Sequence, residues 1–563
     1  MKSKHSLLIG KCAPYALLAA LVLFVFGAVA TFGYVYYDDG LYVIENPVMQ
    51  DGINSRTLHW AFTNTYKGNY HPLTWVSLMV DAAISFGLAH TRTGILFLDP
   101  RVFHVTNLLL HLACVLLLYS LLAKMTGSTW RSAFVAALFA VHPLHAESVA
   151  WIVERKDVLS TLFWLLAMLA YVNWVGKRTN RRYALVAGLM VAGLMSKSML
   201  VSLPVVLLLI DIWPLKRIDL ARESLRSKLP ALLKEKGVLF AISAAYCVVT
   251  FWAQRVGGAV GTLERYPLGE RISNAVVSYA TYLVKMVWPA NLSVCYRYIH
   301  AIPPHKIALS ALLIIASTVF AVRCVRKRPY VTVGWFWYLI TMLPVIGFVQ
   351  IGYQAMADRY TYVPLVGIFI IIAWGLRDLL TWGREDSAFT RRAGAAIGIV
   401  VIVLLAVGCR AQVRYWRDGI ALFKHAAAVD DQDPVVYCSL GVALDKSGRT
   451  NEAIAQYRRA LKLRPEYTIA RSNLAVLLMN EGDFKGSEKE FKTALRFKPD
   501  SPRVYLKLGI LMMRQGRLDD AKDHFRSALL LEPQSEEARA YIMEIDSLKM
   551  RLPRGARLRP VPR

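Results

Sequence analysis

Apolar runs of bilayer-spanning size recur along the chain as far as Arg410 and then stop. A membrane helix needs roughly 20 apolar residues. Runs near 13–34, 102–123, 131–146, 158–175, 183–195, 199–213, 237–253, 306–322, 331–349, 362–380 and 393–409 approach that length. They predict an all-α membrane domain of about eleven spans. Segment 272–289, ISNAVVSYATYLVKMVWP, carries Ser273, Asn274, Ser278, Tyr279, Tyr282 and Lys285. That amphipathic pattern predicts an interfacial or re-entrant helix rather than a span. Leu73 to Leu88, interrupted by Asp81, reads as a helix lying on the bilayer.

Alternate loops between the runs are basic. Lys124/Arg131, Lys177/Arg178/Arg181/Arg182, Lys216/Arg217/Arg222/Arg226/Lys228, Arg323/Arg326/Lys327/Arg328 and Arg377/Arg384/Arg391/Arg392 share one side with Lys2, Lys4 and Lys11. Positive charge marks the cytoplasmic face, so the N-terminus is expected inside and the C-terminus outside. The first run exceeds the ~7–15 residues of a signal core and is expected to be retained. The outer face then holds 35–101, 142–157, 196–197, 254–305 and 350–361.

Beyond Arg410 a period of 34 appears across 434–467, 468–501 and 502–535. Leu440/Leu474/Leu508, Gly448/Gly482/Gly516, Tyr457/Phe491/Phe525, Ala460/Ala494/Ala528 and Pro465/Pro499/Pro533 align. This is the tetratricopeptide pattern, with small residues where paired helices touch and Gly at the turn. The division expected is a membrane domain 1–410, a linker or docking helix 411–433, three repeats 434–535, and a C-terminal helix with a basic tail 536–563. Phe423 and Ala426 stand one period before Tyr457 and Ala460, which places a preceding helix at 415–430. Such arrays bind proteins in a concave groove. No asparagine ladder runs along it, since Ser439 and Lys507 stand where Asn473 does.

Of 563 residues, 56% are hydrophobic and 19% charged, with mean hydropathy +0.38. This composition excludes a large soluble enzyme. The formal charge of +28 lies in the basic loops and in the repeat region and tail, so no nucleic-acid partner is expected. The tail from Lys549 is suited to anionic lipid headgroups. Seven cysteines form no CxxC or metal-ligand spacing, and no phosphate-binding glycine motif is evident.

Distinctive polar residues gather in the outer loops. They are Asp38-Asp39, His71-Pro72, His142-Pro-Leu-His145-Ala-Glu147 followed by Trp151 and Arg155-Lys156-Asp157, Ser196-Lys197, and Asp358-Arg359. His142, His145 and Glu147 could ligate a metal, but Pro143 argues against a regular helix there, and no metal or other cofactor is expected. Together the residues suit transfer of a sugar from a lipid-linked phosphate to a hydroxyl. A carboxylate takes the acceptor's proton, and cations hold the departing phosphate. Asp39, then Asp38, is the expected base. Arg155, Lys197 and Arg359 are the phosphate-side candidates, and His71, His142, His145, Glu147 and Asp358 complete the substrate-binding set.

The stretches YDDGLYVIENP, HPLHAESVAWIVERKDVLS, KSMLVSLPVVLLLIDIWP and ADRYTYVPLVG resemble the transmembrane and tetratricopeptide repeat-containing proteins. The resemblance covers nearly the whole chain and implies a GT-C glycosyltransferase. It further implies lipid-phosphate-linked mannose or another hexose as donor, and protein Ser/Thr hydroxyl as acceptor. This sequence departs from the family at Lys197-Ser198, His71-Pro72-Leu73 and Asp358-Arg359. The short array resembles a bacterial member. That implies an inner-membrane enzyme with a polyprenyl carrier and periplasmic repeats that hold the acceptor protein, or luminal repeats in an endoplasmic reticulum membrane. The rival readings are a non-catalytic scaffold for envelope assembly and a lipid-linked oligosaccharide ligase.

Overall fold

The structure is a computed structural model that describes residues 2–90, 98–218, 222–258, 261–262, 264–381 and 387–551. It is helical, and among the described residues the one bridge pairs Arg297 with Gln354 outside any strand. Two compact units divide at Leu422/Phe423. The boundary lies beyond the change in composition at Arg410. The last apolar helix, Ala388–Arg414, continues into the turn Tyr415–Arg417, and Trp416 stacks on Trp151 with centroids 5.7 Å apart.

Each expected apolar run coincides with a helix, but length separates them. Cys12–Thr31, Pro100–Thr126, Ile152–Gly176, Gly237–Val256, Pro304–Cys324 and Ala388–Arg417 are long and apolar enough to cross a membrane. The pair Thr129–Val141 and Pro143–Ala150, bent by 56°, would make a seventh. Asn180–Leu194, Leu203–Ile212, Pro329–Met342 and Leu365–Leu380 are shorter than a full span. The expected eleven is therefore met, among the described residues, by six or seven on length and composition. Tight turns at Ser198–Ser202 and Asp358–Thr361 take up residues that a full helix would have used. The short helices still pack closely. A Cβ at Gly334 would stand 2.3 Å from the Gly367 carbonyl oxygen, so only glycine admits this approach of Pro329–Met342 to Leu365–Leu380.

Local chemistry accounts for the boundaries. Asp99 caps Pro100–Thr126 by accepting from the Arg101 amide, and Gly127, with φ +67°, ends it. Pro143 has no N–H to continue Thr129–Val141. The His142 ring instead accepts from the Leu144 amide at 3.3 Å, and the chain turns away through 143–154. Segment 268–287 is the amphipathic helix expected, with Asn274, Ser278 and Tyr282 buried and Val284 and Val287 exposed. Residues 72–90 are helical, but Asp81 faces inward, buried against Arg155 at 2.5 Å.

At the opposite helix ends a buried network ties 211–236 to the bundle. Lys236 Nζ lies 2.7 Å from Asp211, and Arg217 reaches both Asp211 at 3.1 Å and Glu235 at 2.7 Å. Tyr171 donates to Asp211 at 2.8 Å. The second unit stacks helix pairs Pro434–Lys446/Thr450–Leu463, Thr468–Asn480/Phe484–Phe497 and Pro502–Arg514/Leu518–Leu531, closed by Glu536–Arg551. Ala460, Ala494 and Ala528 are buried at the helix contacts beside Tyr457, Phe491 and Phe525. Gly448, Gly482 and Gly516 adopt φ of +74°, +86° and +74° at the turns.

Removing one member of a buried ion pair leaves its partner's charge uncompensated, at about 3–5 kcal/mol, whereas an exposed pair is worth about 0–1 kcal/mol. Asp211→Ala is therefore expected to lower the thermal midpoint of the detergent-purified chain markedly. Asp51→Ala, whose partner Arg56 is exposed, should leave it nearly unchanged.

Candidate functional site

The acidic pair leaves the first helix on a strained turn. Tyr36 adopts φ +52°, a left-handed conformation that costs a non-glycine residue about 1–2 kcal/mol, and such strain collects at functional sites. The Asp39 carboxylate closes the turn by accepting from the Val35 amide at 3.0 Å. It also accepts from Trp151 Nε1 at 3.0 Å and from the Val153 amide. Asp39 is buried. Asp38 points differently. It is partly exposed and within electrostatic reach of Lys156, Arg359 and Glu154.

Opposite Asp38 lies a charge cluster assembled from three separate segments. Glu154 Oε1 meets Lys156 Nζ at 3.1 Å and Arg359 Nε at 3.3 Å, and its Oε2 lies 3.6 Å from Lys197 Nζ. Lys197 also pairs with Asp157, whose other oxygen accepts from Ser148 at 3.1 Å. Arg359 pairs with Glu147 through its guanidinium and through its backbone amide at 3.1 Å. Its guanidinium lies over the rings of Trp151 and Tyr360, 5.5 and 5.2 Å from their centroids. Thr74 Oγ1 donates to the Ser196 carbonyl at 2.9 Å, which holds the 71–74 turn against the Lys197 turn.

An aromatic wall borders the cluster. Tyr37 packs on Trp151 at 5.5 Å and bonds to the Tyr353 hydroxyl. Tyr42 stacks on Trp75 at 4.9 Å and on His71 at 6.0 Å, with Lys156 over its ring at 5.7 Å. His71 is buried and its Nε2 has no hydrogen-bond partner among the described residues. Asp358 accepts from Tyr296 at 2.8 Å.

These surroundings move Asp38, Asp39 and Asp358 upward. Burial pushes the Asp39 carboxyl up to about 7 against its three N–H donors, with the charge of Asp38 adding to the rise. Burial also raises Asp38, opposed first by Lys156 and then by Arg359. Asp358 rises through burial and the nearby Glu147. His71 falls to about 3 through burial and then the Lys156 charge, so its ring is neutral at physiological pH.

The structure thus draws together Asp38, Asp39, His71, Glu147, Lys197, Asp358 and Arg359. Three expected residues stand apart. Arg155 is wholly buried, and its guanidinium is occupied by Asp81 at 2.5 Å, Asn107 at 2.5 Å, Ser77 at 2.7 Å and the Phe103 carbonyl at 2.9 Å. It braces helix Pro72–His90 instead of facing the cluster. His142 is bonded to the Met286 carbonyl at 2.9 Å and His145 to that of Phe139 at 2.8 Å. Both rings pack on Phe369, where they brace the break at Pro143. Glu154 and Lys156 were missed as site residues. Their signal was position, since both flank Arg155 in WIVERKD and face the other way.

A family model for the tetratricopeptide repeat matches residues 444–509 and 481–542. Protein O-mannosyl-transferase TMTC1 of Homo sapiens is 26% identical over 490 residues, covering 77% of this chain and 53% of that protein. Protein O-mannosyl-transferase TMTC4 of Mus musculus is 25% identical over 480 residues, covering 75% and 63%. Protein O-mannosyl-transferase Tmtc3 of Drosophila melanogaster is 25% identical over 448 residues, covering 66% and 47%. The resemblance carried by the four motifs is thus met by curated relatives, and the chain spans between 47% and 63% of the length of these three. The protein is a multi-pass membrane protein with a tetratricopeptide array.

Glu154→Gln strips Lys156, Lys197 and Arg359 of their shared counter-charge. A loss of about 3–5 kcal/mol is expected, read as a lower thermal midpoint of the detergent-purified chain. Glu154→Asp, which keeps the charge, should fall between the variant and the wild type.

Proposed function

We propose that this protein is an inverting membrane glycosyltransferase. It transfers mannose or another hexose from a polyprenyl-phosphate carrier to a Ser/Thr hydroxyl of an acceptor protein outside the cytoplasm. The observation that carries this reading is a partly exposed acid, Asp38, within electrostatic reach of Lys156 and Arg359, which share Glu154 with Lys197. The O-mannosyl-transferase names of its relatives support the sugar class.

In this mechanism the acceptor oxygen attacks the anomeric carbon from the face opposite the phosphate. As the new C–O bond forms, the hydroxyl proton passes to Asp38. The bond between the anomeric carbon and the phosphate oxygen breaks, and polyprenyl phosphate leaves with the electron pair. Lys156, Lys197 and Arg359 hold that growing negative charge, exchanging part of their contact with Glu154 and Glu147 for phosphate oxygens. Asp39 orients the base through the Val35–Asp39 turn and holds Trp151. The first choice of base from sequence thus passes to its neighbour, because Asp39 spends its oxygens on three N–H donors. The repeats bind the acceptor protein and raise its effective concentration.

Intact masses of periplasmic proteins from bacterial cells with matched membrane levels of each variant test this reading. Asp38→Asn should abolish the sugar adduct, since a positioned base is worth about 10²–10⁴-fold. Asp39→Asn should reduce it less, by about tenfold for one weakened buried contact. An adduct retained by Asp38→Asn and lost in Asp39→Asn returns the base to Asp39. Retention by both variants sinks the catalytic reading and favours the scaffold.

The pH profile adds a signed test. Asp38 must be ionised to accept a proton, so activity falls as pH drops through its raised pKa. Lys156 lowers that pKa, so Lys156→Met should move the acid limb of labelled-mannose transfer to higher pH. An unmoved or lowered limb would dissociate Asp38 from the proton transfer.

A further inference from the structure

Beside the charge cluster two buried ring nitrogens, His71 Nε2 and Trp75 Nε1, lack a hydrogen-bond partner among the described residues. The Trp75 amide donates to the His71 carbonyl at 3.3 Å, so the two residues stand one helical turn apart at the start of Pro72–His90. That spacing puts their side chains together, with ring centroids 5.0 Å apart. Trp75 has no solvent exposure and His71 is buried. Buried polar groups are almost always bonded, and an unbonded one costs stability. Two such nitrogens side by side call for a ligand that bonds both.

The pair has the chemistry to hold a hydroxyl. An indole N–H only donates, whereas a nitrogen of an uncharged imidazole can accept. A hydroxyl accepts the first bond and donates the second. Position tells whose hydroxyl it is. The 71–74 turn is fastened beside Lys197, because the Leu73 amide donates to the Met195 carbonyl at 3.0 Å and Thr74 to that of Ser196. Tyr42 stacks on both rings, and Lys156 lies over Tyr42. The pair therefore adjoins two of the cations assigned to the donor phosphate. The hexose is bonded directly to that phosphate, whereas the acceptor hydroxyl approaches from the opposite side. We propose, resting on the glycosyltransferase reading above, that His71 and Trp75 read one hydroxyl of the donor hexose, Trp75 Nε1 donating to it and His71 Nε2 accepting from it. Tyr42 screens the pair from water until the sugar enters. A phosphate that draws Lys156 off the Tyr42 ring frees Tyr42 to move.

The test uses the full-length chain in detergent with polyprenyl-phosphate mannose, glucose or galactose, whichever the wild type transfers fastest, and with each monodeoxy analogue of that donor. For the wild type, one analogue should lose about ten- to hundredfold in kcat/KM, the loss of hydrogen bonds at a buried site. His71→Phe should slow the intact donor by a similar factor and bring it level with that analogue. His71→Gln, which restores an acceptor, should recover part of the discrimination. Equal slowing of every donor by His71→Phe would assign the pair to packing or an internal water and overturn the proposal. So would a wild type that penalises no analogue, and in both cases the transferase reading stands. Absence of transfer from all three hexosyl donors sinks that reading and this one with it. Should His71→Phe fail to fold, Trp75→Phe takes its place in the same comparison.

Discussion

The pairing of Glu154 with three cations is the constraint on which the rest of the membrane unit depends. Lys156, Lys197 and Arg359 come from three segments and would repel one another in a buried place. Glu154 touches all three, Asp157 holds Lys197, and Glu147 holds Arg359. Three carboxylates thus balance three cations. Asp38, Asp39 and Asp358 lie near the cluster outside these ion pairs, and of the three only Asp38 is not buried. That exposure separates a candidate base from the carboxylates that serve as scaffold.

Holding such a cluster at the end of a helical bundle has a structural consequence. Its residues converge from the short turns and helices of the Pro143–Glu154 segment, from the start of helix Arg155–Gly176, from the residue before the Ser198–Ser202 turn and from the Asp358–Thr361 turn. The helices adjoining the last two fall short of a full span. They compensate by close packing, as where Gly334 meets Gly367. Short helices and a charged site are two results of one chain path.

Much of this was legible in the sequence. The repeat period was plain because each helix pair must present a small residue and a turn glycine at fixed spacing, and Ala460, Ala494 and Ala528 are buried as that pattern requires. The gathering of acids and cations from distant loops followed from loop parity and charge. The role of each side chain did not. Asp38 and Asp39 differ by one residue, and a left-handed Tyr36 decides which of them is closed into the turn. Arg155 looked like a phosphate ligand until Asp81, 74 residues away, occupied it. Glu154 and Lys156 stand in the same motif as Arg155, and only their facing direction distinguishes them from it.

The state of charge at the acidic end of the bundle bears on the same point. At the acidic end every cation of the cluster sits beside a carboxylate, so an incoming phosphate must compete for it, and the advantage of a fully ionised leaving group over a neutral sugar is correspondingly large. Cations held in place by carboxylates are also preorganised and need little reorganisation when charge develops.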